Sequence, residues 1–160
     1  MYTYDGDIWV GLMTVKEAIE HAAGLDVEGI EFFDKMHLPN YPHPTAYDLL
    51  GLKEYVEFFG MAVSCYSFYI DTLIHSEKKA TFEEEGKQVK DALGAAKVLG
   101  AKIVRVAEQV HWLTIQYITL AERYGLKMGV EIHSPIPAKL IFGEKETEDN
   151  PARCLVPKLV

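Results

Sequence analysis

The chain is poor in the residues that would mark several common protein classes. It has only two cysteines, Cys65 and Cys154, far apart and in no metal-binding or redox spacing. A disulfide-stapled or zinc-stapled scaffold is therefore excluded. Cys65 lies in an apolar run and is expected to be a buried thiol, as in a reducing, cytoplasmic compartment. No apolar run approaches the roughly 20 residues that span a bilayer, so no membrane partner is expected. The start, MYTYDGDIWV, has neither a basic stretch nor an apolar core, so no secretory signal is expected. Basic residues are scarce: 16 Lys and Arg face 24 Asp and Glu, a formal charge of −8. That field repels phosphate backbones and argues against nucleic acid as a partner. Motifs are missing too. There is no GxGxxG or GxxxxGK[ST] to cradle phosphates and no GxSxG nucleophile elbow.

What remains is ordinary globular material. Of 160 residues, 49% are hydrophobic and 25% charged, which excludes disorder and fibres. One phrase recurs: a capped amphipathic helix, a glycine, then a β-rich run. Thr14 and Glu17, Thr45 and Asp48, and Thr81 and Glu84 have the spacing of capping boxes, which satisfy orphan amides of a first helical turn. Behind them run the stripes Val15, Ala18, Ile19, Ala22, Ala23; Leu49, Leu52, Val56, Phe59; and Val89, Leu93, Ala96. A fourth stripe is Leu113, Tyr117, Leu120, Ala121, Tyr124. Gly24, Gly60, Gly100 and Gly125 follow as left-handed helix ends.

Strands are expected at about 29–34, 62–69, 102–107 and 127–133, with a weaker one in YTYDGDIWV. Strands alternating with helices predict right-handed βαβ units, a parallel sheet and strands apolar on both faces. After Pro135 the phrase stops. Residues 1–136 read as the domain and 137–160 as an irregular C-terminal segment.

Ligands of parallel α/β folds bind at the carboxyl ends of strands. That rule selects Glu31, Asp34, Tyr66, Arg105, Glu108, Glu131 and His133, with His37, His43, Asp71 and His75 in adjoining loops. Glu131 and His133 share a face at the end of an apolar strand. A carboxylate and an imidazole so placed suit a divalent cation or an acid/base pair. The alternative is that Glu131 pairs with an Arg or Lys across the sheet and His133 is a satisfied core histidine. Glu31 is either a second inward carboxylate or the ion-pair partner of Arg105. Tyr66 is either substrate contact or packing. The loop MHLPNYPHP, with His37, is either a wall over a polar substrate or plain surface.

The fragments GLMTVKEAIEHAAGLDVEGIEFFD, VSCYSFYIDTLIH, ALGAAKVLGAKIVRV and LAERYGLKMGVEIHSP together resemble the xylose-isomerase-like TIM barrels of the sugar-phosphate isomerase/epimerase superfamily. The flavour is nearest the branch of C-glycoside deglycosidase catalytic subunits, whose strand ends in a similar E-I-H. The resemblance implies a (β/α)8 barrel carrying one divalent cation, Mn, Mg, Co or Zn. Glu131 matches the first metal-ligand glutamate and His133 the neighbouring histidine that serves as base. Glu31, Tyr66, Arg105 and His37 then become substrate contacts for a sugar or glycoside. A full barrel takes about 250 residues, and later Asp, His and Glu ligands have no counterpart here. An incomplete barrel of four to five βα units is thus expected, with open sheet edges that call for a homo- or hetero-oligomer. Isomerase or epimerase chemistry by proton abstraction leads. β-Elimination from a C-glycoside, and a silent assembly or regulatory half-barrel, are the alternatives.

Overall fold

The computed structural model describes residues 2–70, 73–74, 78–107 and 111–131. A 3-10 turn, Tyr2–Tyr4, and helix α1, Asp5–Trp9, open the chain where a weak strand was expected. Then come α2 (Val15–Ala23), β1 (Gly29–Phe33), α3 (Asp34–His37) and α4 (Ala46–Phe58). Strand β2 (Ala62–Phe68) is followed by a small antiparallel pair, β3 (Leu73–Ile74) and β4 (Lys78–Lys79). Helix α5 (Phe82–Leu99), β5 (Ile103–Ala107), α6 (His111–Arg123) and β6 (Lys127–Glu131) complete the order.

All three expected capping boxes form. In the first, Glu17 N–H donates to Thr14 Oγ1 at 3.2 Å and Thr14 N–H donates to Glu17 Oε2 at 2.7 Å. Thr45 with Asp48 and Thr81 with Glu84 repeat the exchange. These hydrogen bonds hold the Glu17 and Asp48 carboxyls below their usual values. The helix ends are less uniform. Gly100 has φ +77°, a left-handed stop that a side chain resists. Gly24 remains right-handed at φ −66°, and the positive φ moves two residues on, to Asp26. The turn after α2 thus uses an aspartate where a glycine was expected.

The main sheet has the order β1-β2-β5-β6, every neighbour parallel. Each new strand adds on the same side, so the order never reverses. A doubly wound sheet has a reversal point; a barrel does not. The buried stripes of α2, α4 and α5 join the apolar residues of one sheet face in a single core. Phe32, Tyr66, Phe68, Val104 and Val106 are the sheet's most deeply buried apolar members, each 2% exposed or less. Burying a side chain of this size stabilises by roughly 1.5–3 kcal/mol. The fold is that of a partial barrel.

β1 and β2 do not pair evenly. Ile30 faces Val63, but Glu31 faces Cys65, so Ser64 is an extra residue in β2. Such a bulge leaves one residue outside the ladder. Ser64 Oγ donates to Ile30 O at 3.0 Å. Gly29 admits the bulged strand: a Cβ there would sit 3.2 Å from Ala62 O and 3.3 Å from Ser64 Cβ. Among the described residues, no helix is long and apolar enough to cross a membrane.

Candidate functional site

The sheet's second face, which in a closed barrel is the interior, is polar rather than apolar as expected. Strand alternation brings Glu31 of β1, Ser67 of β2, Arg105 of β5 and Glu131 of β6 to that face. Register explains their meeting, because Ser67 pairs with Arg105, and Glu131 lies two residues along β6 from Arg105's partner Gly129. Arg105 is the hub. Its Nη2 lies 2.8 Å from Glu31 Oε1, and its Nη1 lies 2.8 Å from Glu131 Oε2. Its Nε–H donates to Ser67 Oγ at 2.7 Å. The Ser67 hydroxyl in turn donates to Glu31 Oε1.

One guanidinium between two carboxylates leaves the group one negative charge in excess. All three charged side chains keep between 23% and 30% of their surface exposed, so the group is reachable from solvent. Arginine does not give up its proton in proteins. Its role is to bind and orient, and the carboxylates supply acceptors. Such a set can hold a polyhydroxylated molecule, whose hydroxyls donate to Glu31 and Glu131 and accept from Arg105. Cys65 shares this face; burial, reinforced by Glu31, pushes its thiol up and keeps it protonated.

Of the expected site residues, Glu31, Arg105 and Glu131 come together, and the pairings weighed for Glu31 with Arg105 and for Glu131 with a cross-sheet cation both occur. Tyr66 does not join them. The bulge at Ser64 sets β2 so that Tyr66 pairs with Phe32 and Val104 on the helix-facing side. There it is 2% exposed. His37 is also apart. Phe33 N–H donates to its Nδ1 at 2.8 Å, which leaves the proton on Nε2 to donate to Asp5 Oδ1, also at 2.8 Å. Burial lowers the imidazole's pKa against the opposing pull of Asp5, so His37 ties α1 to the end of β1 as a neutral ring. His133, Glu108, Asp71 and His75 lie outside the described residues, as does the segment 137–160.

Ser67 is the member that sequence reasoning missed. A signal was present: in SCYSF the small polar Cys65 and Ser67 alternate with the aromatic Tyr66 and Phe68. Period two alone puts the serine, not the tyrosine, on the polar face.

Among the described residues, no three His, Cys, Asp or Glu side chains converge as a metal-ligand set. Glu31 and Glu131 each commit an oxygen to Arg105. The described residues therefore do not fit a divalent-cation centre by themselves.

No known family profile matches the chain, and no curated protein matches it. Solved structures do. A xylose isomerase domain protein from Planctomyces limnophilus superposes with TM-score 0.55 at 13% identity, over 81% of this chain and 55% of its own. A xylose isomerase domain-containing protein from Salmonella typhimurium LT2 gives 0.54 at 15%, over 74% and 44%. An uncharacterized protein from Parabacteroides distasonis gives 0.53 at 19%, over 76% and 48%. The chain spans about half the length of these structures. The fold is xylose-isomerase-like. At such identities the likeness speaks for the fold alone.

Proposed function

We propose that the chain is part of a sugar isomerase or epimerase, in which the inner-face cluster binds the hydroxyls of a sugar or related polyol. The observation that carries this reading is the continuous chain Glu31–Ser67–Arg105–Glu131, set across four parallel strands. In xylose-isomerase-like barrels the corresponding face is enclosed, and ligands of parallel barrels sit at the strands' carboxyl ends. Arg105 would donate to a carbonyl or hydroxyl oxygen and hold it beside Glu131. Withdrawal of electron density from that oxygen acidifies the neighbouring C–H. His133, two residues beyond Glu131 in sequence, is our proposed base. A positioned base of this kind contributes about 10²–10⁴-fold.

A divalent cation at Glu131 remains part of the proposal on a condition. Its Glu131 ligand would be the oxygen that does not contact Arg105 Nη1, and further ligands must come from outside the described residues. β-Elimination from a C-glycoside starts with the same proton abstraction and would use the same groups.

Solvent exchange tests the core of the reading. Purified protein is incubated in D2O with a panel of aldoses and ketoses, with and without Mn, and followed by proton NMR. Deuterium is expected at the carbon next to the carbonyl of at least one sugar. Glu131→Gln is expected to abolish the exchange, and His133→Asn to slow it by about 10²–10⁴-fold. Absence of exchange with every sugar, in a well-folded sample, overturns the enzymatic reading.

The saturated ion pairing of Glu31 and Glu131 favours one other reading: a structural half-barrel with assembly or regulatory work. That reading expects Glu131→Gln to change stability and subunit association while no sugar exchanges.

A further inference from the structure

Three helices of this chain begin with a threonine and a carboxylate that exchange hydrogen bonds: Thr14 with Glu17, Thr45 with Asp48 and Thr81 with Glu84. Helix α3 begins differently. Phe33 stands at its N-cap and offers no side-chain oxygen. The Phe33 N–H instead donates to the ring of His37, whose Nδ1 accepts it at 2.8 Å. His37 thus does for Phe33 what the Glu17 carboxylate does for the Thr14 N–H at 2.7 Å. The exchange of carboxylate for imidazole matters because of protons. Neutral imidazole has one acceptor nitrogen, and imidazolium has none. One proton abolishes this cap, and it arrives in the histidine range rather than the carboxylate range.

The ring is 2% exposed and lies against Phe32 and Phe33. Its Nε2–H donates to Asp5 Oδ1 at 2.8 Å, so one side chain joins α1, β1 and α3. Helix α1 has no buried residue of its own. The charges acting on the ring are Asp5 from α1, Glu31 from β1 and the amino terminus. Asp34 and Lys35 share its helix, and Lys16 of α2 with Asp48 and Glu54 of α4 line the groove beside it. Burial lowers the imidazole's pKa and the amino terminus adds to that, while Asp5 and Glu31 oppose it. A lowered value means that the closed junction binds a proton less readily than the open one. Its contribution is whole above about pH 6.5, the ordinary histidine value, and is lost as pH falls through the lowered one. The groove, of about 560 Å³, gives a displaced ring room to turn.

From a buried imidazole that replaces a capping carboxylate and bridges three elements, we propose that His37 is an acid-operated latch at the carboxyl end of β1. Neutral, it fastens α1 and α3 to the strand. Protonated, it turns a donor toward the Phe33 donor, gives up that contact and keeps the one to Asp5, which becomes an ion pair. The α3 turn then parts from β1. The opening is local, because Thr14 and Thr45 keep their carboxylate partners, whose pKa values the capping bonds hold down. Phe33 lies two residues beyond Glu31, so acid loosens the strand end that presents this carboxylate. The inference does not depend on the catalytic reading, since no sugar and no turnover enter its test.

Nitrogen and proton NMR of the whole chain between pH 8 and pH 5 follows the His37 ring and the amide protection factors together. At pH 8 His37 is expected as the Nε2–H tautomer, with the Phe33 amide protected. As the ring takes its second proton, Phe33 protection should fall about tenfold, while Thr14, Thr45 and the core amide of Val104 keep theirs. Asp5→Asn keeps an oxygen for Nε2–H and removes a charge that favours imidazolium, so the transition should move down by about one pH unit. His37→Gln can offer an amide oxygen to Phe33 but takes no proton, and should leave Phe33 protection flat across the range. Should His37→Gln fail to fold, the wild-type and Asp5→Asn titrations decide alone. A His37 that stays neutral to pH 5 overturns the latch. So does titration of His37 with Phe33 unchanged, loss of protection at Phe33 and Val104 together, a transition that Asp5→Asn leaves in place, or a Phe33 response that persists in His37→Gln.

Discussion

The two faces of the four-stranded sheet are built from the same strands and obey opposite rules. On the helix-facing side, Phe32, Tyr66, Val104 and Val106 exclude water and are held by shape. On the inner side, Glu31, Ser67, Arg105 and Glu131 are held by directed polar contacts, and the three charged side chains keep access to solvent while Ser67 is buried. The first face gives most of the stability, because apolar burial scales with area. The second face gives little net stability, since ion pairs must first be desolvated.

The comparison can be broken most violently by exchanging the faces. Deleting Val104 from β5 slips the strand by one residue and drives Arg105 into the apolar layer. Loss of the cooperative urea transition is the expected result. Truncating the apolar face comes next: Phe32→Ala should lower stability by about 3–5 kcal/mol, read from the urea midpoint at unchanged slope. Arg105→Ala removes the hub and leaves Glu31 and Glu131 facing one another. We expect a smaller loss, about 1–3 kcal/mol, partly restored when Glu131→Gln is added. If Arg105→Ala costs as much as Phe32→Ala, the cluster is a structural device first. The smallest effect is expected from deleting Ser64. Removal of the bulged residue leaves Ile30 opposite Val63, Glu31 opposite Cys65 and Phe32 opposite Tyr66, so neither face changes. A cost under about 1 kcal/mol is expected in the same urea assay, against the total loss for Val104.

Much of the architecture was readable in advance. The capping pairs and the glycine-closed helices gave four helix–strand units, and the four strands fall within two residues of their expected bounds. These features are local: a threonine reaches an amide three residues away whatever the rest of the chain does. The N-terminal YTYDGDIWV was misread as a strand because its alternation is weak, and Asp5 instead serves α1 and the His37 contact. His37 looked like a ligand contact because a histidine beyond a strand is ambiguous until its ring nitrogens are accounted for. Both are spent, on Phe33 N–H and on Asp5.

The sequence by itself determined which residues form strands, where helices begin, and that Glu31, Arg105 and Glu131 stand near strand ends. Only the tertiary structure decided their company. Which residue of β2 stands opposite Glu31 depends on one unpaired residue, Ser64, which packs closely against Gly29 on the neighbouring strand. A bulge is a property of two strands at once, and pairing energy that spans 34 residues leaves no trace in either strand's own periodicity.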